Sequence, residues 1–362
     1  MESKLRRKVD QAFAKALPKV ELHAHLSGSI SKDTLHKIWT LKQAEGHCLD
    51  LDDPLMALRE MPDIFTFFKI FDQYIYKLID DKTALQLAVR SVIADFENDG
   101  VRYLELRTTP RQMAARGLDR RAYVETVLEA IGDRPTASGD GHTGIEVHLL
   151  LSIDRRMTFD EAAEVLDVAE SFSYGSLWHQ QHQQHPVVLG IDLCGNPMKG
   201  DVSVFTPLFL RAQRSGLRTT VHFAEVSESS TEKELTTILS WKPDRLGHVI
   251  HVSDHIKAMI QDQGVALELC LSCNMIAKMV KGEFADHHFG YWLRTTSAIA
   301  LSTDDVGVFQ SSLSNEYLIA AEHFDLDTQE IVSLSYRSID AAFKGHDRMR
   351  SLLATFEEKY AQ

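Results

Sequence analysis

Four short stretches of the chain set histidines and acids where a strand-like run ends. In Glu21-Leu22-His23-Ala24-His25 the two histidines are two residues apart, so on a strand both side chains face the same side. Val221-His222-Phe223-Ala224-Glu225, Arg245-Leu246-Gly247-His248 and Ser302-Thr303-Asp304-Asp305 each follow an apolar run with a polar cluster. Neutral imidazole and carboxylate are ligands for divalent cations. His23, His25, His222 and Asp304 offer four nitrogen and oxygen donors and no thiolate. That set suits one Zn²⁺ per chain, with Fe²⁺ or Co²⁺ also open. A catalytic zinc keeps a position for water. Glu225, His248 and Asp305 are then the titratable groups left around that water, the acid/base set a hydrolysis needs.

The elements that must position these residues are legible as alternating units. β-like runs cover Val20–Leu26, Val101–Thr109, Ile145–Ile153, Val187–Cys194, Thr219–Val226, Arg245–Ile250, Ala266–Cys273 and Ile299–Thr303. Several are almost wholly apolar, as parallel strands buried on both faces should be. Helical patterns lie between them, over Asp81–Gly100, Asp119–Ile131 and Asp160–Phe172. Eight such units predict an α/β fold, a (β/α)₈ TIM barrel, with the polar clusters at the face where such barrels keep their active sites. The expected organisation is one hydrolase barrel domain over residues 1–362. Extra helices are inserted after strand 1, a lid-like insertion over about 27–100. Within it, Pro62–Leu78 reads as an aromatic-rich helix carrying Phe65, Phe67, Phe68, Phe71, Tyr74 and Tyr76, a stripe expected to serve the core.

The chain has 362 residues, with 39 Lys plus Arg against 52 Asp plus Glu, a net charge of −13. That balance argues against a nucleic acid polymer as partner, which needs a basic face, and leaves room for a small anion held locally. No run approaches the roughly 18 apolar residues of a membrane helix, and Met1–Val9 lacks the apolar stretch of a signal peptide. The reading is a soluble cytoplasmic protein with no membrane partner, carried as a monomer. The 4 cysteines, at 48, 194, 270 and 273, are too few for a disulfide scaffold. Cys270 and Cys273 are read as strand-packing residues. His179, His182 and His185 are read as part of a surface linker rather than a metal site, and Thr136–Thr143 as a polar loop.

Pro18-Lys19-Val20-Glu21-Leu22-His23-Ala24-His25-Leu26, His222-Phe223-Ala224-Glu225, Gly247-His248 and Ser302-Thr303-Asp304-Asp305 together resemble the adenosine deaminase family of metal-dependent amidohydrolase barrels, in order, from Leu17 to about Phe309. The resemblance implies a single zinc and hydrolytic deamination at purine C6. It implies that Glu225 protonates purine N1, that His248 and Asp305 orient the attacking hydroxide and take its proton, and that the backbone N–H of Gly195 meets the purine.

The departures from the family pattern are informative. Two residues after the second histidine, where family members acting on adenosine carry an Asp at the ribose 5′ end, this chain has Ser27. A hydroxyl there can donate to a 5′-phosphate, which a carboxylate would repel. Thr108, Thr109 and Arg111, in Thr108-Thr109-Pro110-Arg111, supply hydroxyls and a guanidinium at the end of the second strand, a plausible phosphate clamp that also includes Pro110. Arg107 reads either as part of it or as a buried ion-pair partner of Glu105 or another acid. This segment and His287-His288-Phe289-Gly290-Tyr291-Trp292 resemble the adenosine deaminase-like subgroup, whose members take N6-methyl-AMP to IMP and methylamine. The subgroup implies ribose contacts from Asp154, a substrate-facing residue at Tyr76, and His25 and Asp305 as substrate contacts. The expected partner is a purine nucleotide. The alternative is an adenosine deaminase producing inosine and ammonia. A two-metal amidohydrolase is disfavoured because Val187–Pro197 holds no Lys to bridge two metals. A growth-factor-like binding protein is disfavoured by the full acid/base set. The H-x-E and P-C-x-x-C signature of cytidine deaminases is absent.

Overall fold

The structure, a computed structural model, describes residues 7–47, 50–58, 68–113, 117–133, 144–182 and 186–360. Eight parallel strands follow one another around one sheet in chain order. They are β1 (Lys19–His25), β2 (Val101–Thr108), β3 (Glu146–Asp154), β4 (Val188–Cys194), β5 (Arg218–Phe223), β6 (Arg245–His248), β7 (Ala266–Leu269) and β8 (Ile299–Leu301). Helices fill the intervals, and the expected (β/α)₈ barrel is present. The sheet does not close through β8 itself. It closes three residues later, where Asp304 pairs with Ala24: the Asp304 N–H donates to His23 O at 2.8 Å and the His25 N–H donates to Asp304 O at 2.9 Å.

The outer helices form where the sequence pattern places them. In Lys82–Asn98, Asp81 caps the N-terminus by accepting from the Ala84 N–H, and Leu85, Ala88, Val89, Val92, Ile93 and Phe96 are buried on one face. Phe159–Ser171 opens on a reciprocal capping box between Thr158 and Glu161. After the barrel, the helix Thr328–Ala341 packs against β8 and β1. Among the described residues no helix is long and apolar enough to cross a membrane.

Several expected boundaries are corrected. The runs at Thr219–Val226, Arg245–Ile250, Ala266–Cys273 and Ile299–Thr303 stop being strand at Phe223, His248, Leu269 and Leu301. The residues beyond these ends are mostly buried, in loops or, after Cys270, in a short helix, so apolar character continues after the extended backbone has ended. Cys270 and Cys273 are therefore not strand residues. Cys270 precedes, and Cys273 lies within, the short helix Leu271–Ile276. The segment at Trp178 is a short helix, Leu177–Gln181, in place of a linker. Trp178 is buried, His182 stacks on it at 3.9 Å, and His179 packs on Tyr174. His185, Cys48, Thr136–Thr143 and the first part of the aromatic segment, including Phe65 and Phe67, lie outside the described residues. The described part of that segment is a π-helical turn, Phe71–Ile75, running into Tyr76–Leu78.

Candidate active site

The predicted ligands meet at the C-terminal end of the barrel. The Nε2 atoms of His23 and His25 lie 3.1 and 3.0 Å from His222 Nε2, and Asp304 Oδ1 lies 3.5 and 3.4 Å from the first two. His248 stands a little apart, with Nε2 at 3.9 Å from Asp304 Oδ2.

The ring tautomers behind this cluster are held from inside the barrel. His23 Nδ1 donates to Glu268 Oε2 at 2.5 Å and His222 Nδ1 donates to Asp192 Oδ1 at 3.1 Å. Each ring therefore turns its Nε2 lone pair to the centre, as a metal-ligating histidine must. Both carboxylates are bridged by Arg107, which donates to Asp192 at 3.2 Å and to Glu268 at 2.8 Å and is wholly buried. Burial pushes both acids up, but His222 and Arg107 hold Asp192 below its ordinary value, and Arg107 and Arg245 do the same for Glu268. Arg107 is thus the buried ion-pair partner, paired with Asp192 and Glu268; Glu105 pairs with Arg245 at 2.5 Å instead.

Three inward Nε2 lone pairs beside a carboxylate repel one another unless a cation or a proton sits between them. Against burial and the Arg107 charge, which push it down, hydrogen bonds to Asp304 and Glu268 carry His23 up to about 9. The donor set, the fixed tautomers and this proton demand all fit a divalent cation bound to His23, His25, His222 and Asp304.

The backbone bends sharply to bring these groups in. Ala224, His248, Val249 and Asp304 all have positive φ, at 53°, 64°, 55° and 63°. Such conformations cost about 1–3 kcal/mol each and concentrate at functional sites. Here hydrogen bonds fix them: Val249 N–H to Phe223 O, His251 N–H to Ala224 O, and the Asp304 pairing with β1. Glu21 ties β1 to the same bend, accepting from the backbone N–H of His23 and from the backbone and hydroxyl of Thr303. Cys273 adds a thiol hydrogen bond to Asp304 Oδ2 at 2.9 Å; burial pushes that thiol up, so it stays a donor.

Around the cluster, Glu225 Oε2, Asp305 Oδ1 and His248 Nε2 are buried and have no hydrogen-bond partner. Orphaned polar atoms of this kind demand a ligand or water. Burial pushes Glu225 up to about 7, with His222 opposing and Asp304 adding to the shift. Burial, then the neighbouring Asp304 charge, holds Asp305 well above the carboxylate range. Asp304 goes the other way: despite burial, the His23 hydrogen bond and the nearby histidines keep it ionised. Two adjacent acids are thereby split into one that stays ionised and one that holds its proton. Glycines make the approach possible. A Cβ at Gly28 would lie 1.4 Å from Asp305 Oδ1, and one at Gly247 would lie 2.5 Å from the His23 ring.

A cleft of about 690 Å³, counted to its open mouth, lies over the cluster. This is in the range of small-molecule sites, roughly 300–1,000 Å³. His25, Ser27, Tyr76, Thr108, Thr109, Asp154, Gly195, Glu225 and Asp305 all line it. His23 and His248 stand behind its wall. Pro110 and Arg111 lie outside the lining. The Arg111 guanidinium donates to Ile79 O at 2.8 Å and sits 4.1 Å above the ring of the lining residue Tyr76. Thr108 Oγ1 shares a 2.8 Å hydrogen bond with Tyr123.

Sequence reasoning missed several lining residues. Phe68 and Phe71 join Tyr76 as aromatic wall, so this part of the stripe faces the cleft as well as the core. Arg156 brings a cation to the rim, clasping Asp154 at 3.0 and 2.7 Å and lying 3.6 Å from Asp72. The repeated Arg155-Arg156 pair after Asp154 was the available signal. For Asp192 and Glu268, lone acids inside apolar strands, the signal was their very presence there.

Residues 18–359 match the model of the family described as Adenosine deaminase. The chain is 38% identical to N6-Methyl-AMP deaminase-L of Xenopus laevis over 355 residues, covering 96% of this chain and 94% of that one. The crystal structure of Arabidopsis N6-mAMP deaminase superposes with a TM-score of 0.84 at 33% identity, covering 96% of this chain and 99% of that one. The crystal structure of Arabidopsis ADAL complexed with IMP gives the same score and identity over 96% and 98% of the two chains.

Proposed function

Because the chain belongs to the adenosine deaminase family, and is a purine deaminase on that ground, we infer that its reaction is the hydrolysis of N6-methyl-AMP to IMP and methylamine. The observation that carries this reading is the pairing of two features in one cleft. Three Nε2 atoms and a carboxylate converge beside the partnerless atoms Glu225 Oε2, Asp305 Oδ1 and His248 Nε2, and Ser27 takes the place where a carboxylate would repel a phosphate.

A divalent cation, read here as one Zn²⁺ on His23, His25, His222 and Asp304, supplies Lewis-acid activation of water at neutral pH when bound. The chain's own residues supply the rest. Glu225, protonated near neutral pH by its burial, gives its proton to purine N1 and makes C6 electrophilic. Asp305 and His248 face the attacking water and orient it. As the water oxygen bonds to C6, one of its O–H bonds breaks and the proton passes to the Glu225 carboxylate left after N1 is protonated. The C6–N bond then breaks, the second water proton goes to the departing nitrogen, and methylamine leaves while IMP keeps the N1 proton. Phe68, Phe71 and Tyr76 give the purine apolar walls, and Gly195 brings a backbone N–H to it.

At the other end, Ser27, Thr108 and Thr109 offer hydroxyls to the phosphate and Arg156 brings positive charge to the rim, while Arg111, next to Pro110, braces the wall residue Tyr76 from outside the lining. Asp154 faces the ribose while clasped by Arg156. The whole chain acts as one catalytic barrel, with the insertion at 27–100 as its cover. This reading is supported by the cover's Phe68, Phe71 and Tyr76 forming part of the wall.

The test is a panel of adenosine, AMP, N6-methyladenosine and N6-methyl-AMP with the zinc-loaded protein, following IMP or inosine by chromatography. The highest kcat/KM is expected on N6-methyl-AMP. Faster turnover of adenosine would replace this reading with that of an adenosine deaminase.

A further inference from the structure

Asn274 lies behind the site, wholly buried on the helix Leu271–Ile276. It stands between two histidines. Its Nδ2 is 3.1 Å from His248 Nδ1, and its Oδ1 is 3.2 Å from His287 Nε2. In isolation such a chain could run in either direction, because an amide can flip and an imidazole can change tautomer. Here one end is anchored. The backbone N–H of Phe289 donates to His287 Nδ1 at 3.1 Å, and a backbone N–H cannot reverse its polarity.

The consequences pass along the chain in one direction. His287 Nδ1 is an acceptor. Burial pushes that ring down to about 2, so it is neutral and its proton sits on Nε2. This N–H must find an acceptor, and Asn274 Oδ1 is the atom facing it. The amide is thereby oriented with its NH₂ toward His248. His248 Nδ1 faces a donor and so must accept. The ring proton of His248 then sits on Nε2, the buried atom without a partner that faces the cluster. The rest of the residue is held too: His288 Nε2 donates to the His248 carbonyl at 2.6 Å.

We propose that Asn274 is a positioning residue that fixes His248 as a hydrogen-bond donor toward the reacting centre. The proposal rests on the active-site reading above and excludes His248 as the acceptor of the water proton. With its proton on Nε2, His248 cannot accept the proton of the attacking water. It orients the water oxygen and stabilises the negative charge that develops there. The O–H bond of the water breaks toward Glu225, a carboxylate once it has given its proton to purine N1.

The test reads the tautomer directly. Long-range ¹H–¹⁵N spectra of histidine-labelled, zinc-loaded protein should show His248 Nδ1 unprotonated and Nε2 protonated. Asn274→Asp keeps the shape and the acceptor for His287, but presents an oxygen to His248 Nδ1 and draws the proton there. The expected result is an inverted His248 signature and a kcat lowered about 10²–10³-fold, the usual loss of one preorganised donor, with KM changed less than about threefold. A variant that merely loosened the fold would not invert the tautomer. A His248 Nδ1–H signal in fully active wild-type protein would overturn the assignment, as would wild-type kcat in Asn274→Asp. Failure of the deaminase reading is a separate result: wild-type protein inactive on all four purines.

Discussion

Gly28 gives the sharpest test of where Asp305 must stand. An alanine Cβ at this position would be built 1.4 Å from Asp305 Oδ1, 2.2 Å from its Cγ and 2.7 Å from its Cβ, and these are the three nearest heavy atoms. To recover an ordinary van der Waals contact of 3.4 Å the carboxylate oxygen must retreat about 2 Å. Gly28 has no positive φ, so the backbone accepts alanine and the effect is steric. Misplacing a reacting group by about 1 Å costs on the order of 10²-fold in rate, so Gly28→Ala should lose at least that factor in kcat. Overpacking should also destabilise the fold by about 1–3 kcal/mol, read as a lower denaturant midpoint with an unchanged slope. Both effects run through Asp305. Asp305→Gly removes all three clashing atoms, so in that background Gly28→Ala should cost little further stability and no further activity. The assay is a double-mutant cycle on kcat and on unfolding free energy, with metal content measured for each variant. Wild-type kcat in Gly28→Ala, or additive losses in the double variant, would show that Asp305 does not act from this position.

Three further outcomes are expected. Glu225→Gln should keep its bound metal and lose about 10²–10⁴-fold in kcat, the range of general acid catalysis; metal analysis beside steady-state kinetics checks it, and normal turnover would remove Glu225 from the proton step. Ser27→Asp should depress kcat/KM for N6-methyl-AMP selectively. Two like charges about 4 Å apart at an effective dielectric near 20 cost roughly 4 kcal/mol, close to 10³-fold, and an equal loss on N6-methyladenosine would place the phosphate elsewhere. Away from the site, burial pushes Glu316 up to about 7 against its hydrogen bonds from Ser272 and Ser311. Its folded state binds the proton more tightly, so stability should fall as pH rises from 4.5 to about 7 and level off above. The slope from this group is at most about 1.4 kcal/mol per pH unit, and unfolding curves of Glu316→Gln should lack it.

The barrel was legible because its strands are buried on both faces and its helices on one, two periodicities that a single chain displays openly. The strand ends were less so. Beyond Phe223, His248 and Leu301 the chain leaves extended geometry through positive φ at Ala224, His248 and Asp304, yet Val226, Val249 and Thr303 stay buried. Hydropathy reports burial, and these loops are as buried as the strands they follow. The cluster of histidines and acids was legible for a related reason: charged and imidazole groups closing apolar runs have few structural uses. The arginines after β2 were harder. Arg111 and Arg107 look alike in sequence, but one stacks on Tyr76 and the other neutralises two core acids. Only three-dimensional neighbours, 85 and 161 positions away for Arg107, separate those fates.

The same neighbours explain why the site and the fold are one construction. Asp304 is both a ligand candidate and the residue whose backbone completes the ring of strands between His23 and His25. Glu21 fastens the same junction from β1, and Glu268 holds His23 while bridging Arg107 and Arg245 across the interior. A barrel that closed in another register would move Asp304 away from the histidines and strip the buried Glu21 of its hydrogen bonds from Thr303 and Glu268 of its bond to His23. A buried polar group left without its partner costs about 1–3 kcal/mol, a large share of the 5–15 kcal/mol that holds a domain together. The buried acids therefore favour the register that brings Asp304 to the histidines. On this argument the acids inside β1, β4 and β7 stabilise the fold little on balance; their effect is to make the catalytic arrangement the arrangement in which the barrel closes.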